Sequence, residues 1–72
     1  MFAREQVRAE LRQRVSAGLP LRENVEWLRS TGASISDAID LLQGIGLNRK
    51  DAEYVVRAHP AWKQLSHPPN NH

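Results

Sequence analysis

Ser34-Ile35-Ser36-Asp37-Ala38-Ile39-Asp40-Leu41-Leu42-Gln43-Gly44-Ile45-Gly46-Leu47-Asn48-Arg49-Lys50-Asp51-Ala52 decides the fold. Ser34 followed three residues later by Asp37 is a capping-box arrangement: the hydroxyl accepts from an unpaired first-turn N–H, and the carboxylate sits at the positive end of the helix dipole. Ile35, Ala38, Ile39 and Leu42 recur at helical spacing, and Leu41 and Ile45 widen that stripe, which implies burial between two neighbours. Gly44 and Gly46 end this helix. Asn48 with Asp51 three residues on then starts another, and Leu47 stands where it staples onto Ala52. That next helix carries Ala52, Val55 and Val56 inward and stops near His59, because Pro60 disfavours helical geometry in the residue before it. Residues 35–59 are therefore expected to fold back on themselves as two capped helices.

Working outward, the same signals predict two more helices. Val7, Leu11 and Val15 are spaced four apart in a first helix from about residue 3 to 17, with Gly18 as its left-handed terminator. After Leu19-Pro20, a second helix over residues 21–30 places Leu21, Val25 and Leu28 inward, with Gly32 ending it. Beyond Pro60, residues 61–65 are expected to add one short turn whose Trp62 and Leu65 fold back over the core. The expected fold is all-α: a compact four-helix domain made of two helical hairpins. Residues 1–65 form that single domain, and residues 66–72 read as a disordered tail.

With 72 residues the chain holds one domain, close to the lower limit for stability from a hydrophobic core alone. It has no cysteine, so there is neither a disulfide framework nor a thiolate metal site, which suits a reducing bacterial cytosol. No apolar run approaches the roughly 18 residues of a membrane span, and the N-terminal residues mix Arg with Glu where a secretory signal needs an apolar stretch. A net charge of +2, from ten basic and eight acidic side chains, permits nucleic acid without indicating it.

From Gly46 the chain reads Gly46-Leu47, Lys50-Asp51-Ala52, Val55-Val56 and Pro60-Ala61, preceded by Ala38-Ile39-Asp40-Leu41-Leu42-Gln43. This pattern, over residues 35–61, resembles the helical hairpin in the C-terminal domain of the bacterial ribosomal stalk protein. In that family the hairpin docks translation factors through basic residues on its first helix and packs on a small β-sheet. The resemblance implies a shared hairpin shape with a protein-docking surface of changed charge. Asp40 and Gln43 stand where the family has Lys and Arg, while Lys50 keeps its match. No alternating strand pattern flanks the hairpin here, so the first two helices take the place of the sheet.

Chemistry at a site is hard to assemble from these residues. Ser16, Ser30, Ser34, Ser36 and Ser66 all have turn or cap duties. Glu23, Glu26, Asp37 and Asp40 are first-turn or exposed acids, and a carboxylate pair for acid–base work needs a cleft this chain can hardly build. His67 and His72 lack a chelating spacing, and His59 suits a helix C-terminus. We therefore expect no catalytic residue, no metal and no cofactor.

The leading expectation is a small bacterial, cytoplasmic protein-interaction module, self-association included, that binds through the hairpin and the Trp27 side. Its partner-binding residues are Trp27, Asp40, Gln43, Lys50 and Tyr54. Trp27 is expected as an exposed aromatic anchor, because Leu21, Val25 and Leu28 already define the inward side. The alternative is a weak nucleic-acid binder using Arg4, Arg8, Arg12 and Arg14, the first three of which stack along one helix side. Against it, Glu5 can pair with Arg8 and Glu10 with Arg14 as an ordinary solvated face. A helix-turn-helix reading head is disfavoured because Arg49-Lys50-Asp51-Ala52-Glu53 puts two acids among the bases that would enter the groove. A small immunity or antitoxin protein is a third reading.

Overall fold

The computed structural model describes residues 2–62. Four helices follow in order: α1 (Arg4–Ser16), α2 (Leu21–Ser30), α3 (Ile35–Gly44) and α4 (Arg49–Ala58). A last helical turn covers residues 60–62, and no strand occurs among the described residues. The domain is all-α, a four-helix fold of two hairpins, α1–α2 and α3–α4. Of the two, α3–α4 is the more closely packed, and α2 touches all three other helices. Residue 65, the tail from 66 to 72 and the two tail histidines lie outside the described residues.

The caps explain where the elements begin and end. Ser34 Oγ accepts from the Asp37 N–H at 3.0 Å and the Asp37 carboxylate accepts from the Ser34 N–H at 3.3 Å, a reciprocal capping box at the start of α3. Asn48 Oδ1 accepts from the Asp51 N–H at 2.8 Å at the start of α4. At the end of α3, the Leu47 N–H reaches back to the Leu42 carbonyl and the Gly46 N–H to that of Gln43. This six-to-one and five-to-two pair needs a positive φ at its centre, and Gly46 supplies φ 117°. The end of α1 repeats the motif with Gly18 at φ 85°, Leu19 N–H bonding to Arg14 O and Gly18 N–H to Val15 O. Pro20 lies just outside α2 as its N-cap, in extended geometry.

The core joins Val7 and Leu11 of α1 to Val25 and Leu28 of α2. Ala38, Ile39, Leu41 and Leu42 of α3, Ala52 and Val56 of α4, Ala33 and Trp62 complete it. Trp62 is completely buried, and its indole N–H donates to the Val25 carbonyl at 2.9 Å. The last turn brings it there. His59 turns its ring so that Nδ1 accepts from the Ala61 N–H at 3.0 Å, Pro60 occupies the first position, and the Trp62 N–H bonds to His59 O at 2.9 Å. Arg29 Nε donates to Ala61 O at 3.2 Å and its guanidinium carbon lies 5.9 Å from the Trp62 ring centre, pinning the turn to α2.

Two expected core positions are corrected. Val15 is 41% exposed, because a four-residue spacing drifts about 40° around a helix at each step. Two steps from Val7 carry Val15 off the side that α2 covers. Leu21 is 37% exposed for a different reason: it faces α4 across a gap that no described side chain fills.

Candidate functional site: the cleft between α2 and α4

That gap is an open cleft of about 270 Å³. Leu21, Arg22 and Val25 of α2 form one wall, Tyr54, Val55 and Ala58 of α4 the other, and His59 with Pro60 closes one end. The turn at residues 59–62 carries Trp62 under α2, and among the described residues nothing layers over the start of α2 and the end of α4. Aliphatic groups dominate its surface. Tyr54 is 72% exposed on the rim, the most exposed large apolar-bodied side chain described.

The polar side chains in the lining are Arg22, Tyr54 and His59. Because His59 Nδ1 accepts an N–H, that nitrogen carries no proton, so the neutral ring carries it on Nε2. Nε2 is buried and has no hydrogen-bond partner among the described residues. His59 thus caps the last turn through Nδ1, while Nε2 is enclosed by the protein. A cofactor-sized ligand usually needs a pocket of roughly 300–1,000 Å³ that encloses it, so an open cleft just below that range suits one or two side chains of a larger partner.

The residues singled out in the sequence do not gather at one place. Tyr54 lines the cleft, and Lys50, one helical turn before it on the same side of α4, is exposed beside it. Gln43 is exposed on α3. Asp40 is tied to α1, its carboxylate 3.4 Å from Arg4 Nη2. Trp27 is not the exposed anchor expected: it is half-buried, packs against the core, and carries the Arg14 guanidinium 4.7 Å above its ring. It points toward α1, away from the cleft. The aromatic that does protrude is Tyr54.

The arginine row is also divided. Arg4 Nη1 lies 2.9 Å from the Asp37 carboxylate and so bridges α1 to α3. Arg14 Nε donates to Asn24 Oδ1 at 2.9 Å, and Asn24 Nδ2 donates to Leu19 O at 3.3 Å. The Glu5–Arg8 and Glu10–Arg14 pairs do not form among the described residues; Arg14 turns to α2 because a buried amide and an indole face offer it more than a solvated carboxylate. Arg8 and Arg12 stay exposed without an ion pair among the described residues.

Two features escaped the sequence reading. Asn24 is 1% exposed on the same stripe as Leu21, Val25 and Leu28, and a lone amide at a stripe position is the signal that it locks the α1–α2 corner. Arg22 became a site residue only once α2 and α4 were set side by side.

No helix among the described residues is long and apolar enough to cross a membrane. No protein family, curated protein or solved structure matches the chain.

Proposed function

We propose that this chain is a small non-catalytic protein-interaction module of the bacterial cytosol, and that its partner docks in the α2–α4 cleft with Tyr54 as the rim anchor. The observation that carries this reading is an open apolar cleft beside the protruding Tyr54, in a domain whose core is complete without either. A large, rigid aromatic on a rim buries much area on docking at low entropic cost, which is why such residues dominate binding energy at interfaces. Lys50 adds charge to the same face. The α3–α4 hairpin supplies one wall of the cleft through α4, and α2 supplies the other.

Retention of cell proteins on the immobilised chain tests this, with a Leu21→Glu, Tyr54→Ala variant as the control. The expected result is proteins held by the wild type and released by the variant, at unchanged helix content by circular dichroism. An identical set on both would refute the cleft as the docking site. Light scattering on the same samples tests self-association: a dimer dispersed by the double substitution would make the partner a second copy.

A further inference from the structure

We propose that the cleft takes an amphipathic peptide segment whose apolar side chains are flanked by carboxylates. This inference rests on the docking role of the cleft and adds the chemistry of the partner.

Charge argues it. Among the described residues that line the cleft, Arg22 is the sole cationic side chain and no carboxylate occurs. Lys50, Tyr54 and Arg57 recur at i, i+4 and i+7, so the two cations stand on either side of Tyr54 along the rim. Arg22, Lys50 and Arg57 are all exposed and make no ion pair among the described residues. The acids on these two helices are Glu23 and Glu26 of α2 and Asp51 and Glu53 of α4, none of them in the lining; Glu53 is paired with Arg49 at 3.1 Å, and Asp51 sits in the first turn of α4, where it complements the helix dipole. The Tyr54 hydroxyl, on an exposed side chain at the rim, can also donate to an acceptor. The walls therefore offer cations and donors around an aliphatic floor, and the complementary ligand brings apolar side chains with acceptors beside them.

The same charge disfavours a second copy of the chain. A two-fold interface lays the patch against itself, and a rim of cations whose described lining has no carboxylate gives its own copy nothing of opposite charge. Nucleic acid would match the cations but has no aliphatic groups for Leu21, Val25, Val55 and Ala58, and one tyrosine is a poor stacking platform.

Fluorescence polarisation with a labelled synthetic peptide of about 14 residues tests the proposal, with leucines at helical spacing and glutamates between them. A companion peptide replaces every Glu with Lys. The Glu peptide should bind at least about tenfold more tightly than the Lys peptide, and the preference should shrink as salt rises from about 0.05 to 0.5 M. Arg22→Glu, an exposed substitution checked by circular dichroism, should weaken the Glu peptide by about tenfold and improve the Lys peptide. Equal binding of both peptides would overturn the acidic partner while leaving the cleft a docking site. So would Arg22-dependent binding of a single-stranded oligonucleotide or of vesicles with anionic lipid in place of the Glu peptide. If neither peptide binds the wild type, the proposal fails, and the retention experiment with Leu21→Glu, Tyr54→Ala shows whether the docking role fails with it.

Discussion

Trp62 and Tyr54 show how differently two aromatics serve a domain this small. Trp62 is fully buried and hydrogen-bonded across α2. Trp62→Ala is expected to cost about 3–5 kcal/mol, which matches the few kcal/mol that a core of this size supplies. That variant should lose its helical signal at low urea. Trp62→Phe keeps most of the packing but not the N–H bond to Val25 O, and should cost about 1 kcal/mol by urea midpoint. Tyr54→Ala should stay within about 0.5 kcal/mol of the wild type, since an exposed side chain away from caps and networks rarely does more. The inward path of Trp62 was legible in its sequence, because Pro60 ends α4 and forces the following residues to turn. The placement of Trp27 was not. A residue beside an apolar stripe is exposed or covered according to what the next helix brings, and here α1 brings Arg14.

Caps and glycines make the elements legible to within a residue or two, and they carry measurable stability. Ser34→Ala removes one half of the capping box and should cost about 1 kcal/mol, whereas Ser34→Gly should cost only a few tenths, since glycine lets solvent reach the freed N–H. Gly46→Ala is expected to cost about 1 kcal/mol through backbone strain alone, because an added Cβ at that position meets nothing within 4 Å. Arg4→Ala should stay below about 1 kcal/mol despite two carboxylates nearby, since both pairs are exposed and screened. Thermal or urea unfolding ranks all four, and the expected order puts Ser34→Ala and Gly46→Ala above Ser34→Gly and Arg4→Ala. Helix faces were less legible than helix ends. The drift of a four-residue stripe removes Val15 from the core, and Asn24 hides among leucines and valines that look like an unbroken apolar face.

Over the whole molecule, α2 is the element that both hairpins share, and the cleft is a consequence of its doing so. The hairpins could be read from the chain because each is local: a cap, a stripe, a glycine and a short turn. The cleft could not, because it depends on how α2 lies against α4 across two connections, and periodicity specifies which side of a helix is apolar without fixing the angle at which two helices meet. For the same reason Arg22, on one hairpin, and Lys50 with Arg57, on the other, become one charged rim only in the folded chain. The α2–α4 cleft is the surface through which we propose this domain acts. Its most direct test is a titration of the ¹⁵N-labelled chain with the Glu-flanked peptide, followed by amide chemical shifts. Shifts should concentrate at Leu21, Arg22, Val25, Tyr54, Val55, Ala58 and His59, with Arg8 and Arg12 undisturbed; shifts centred on α1, or none at saturating peptide, would contradict docking in the cleft.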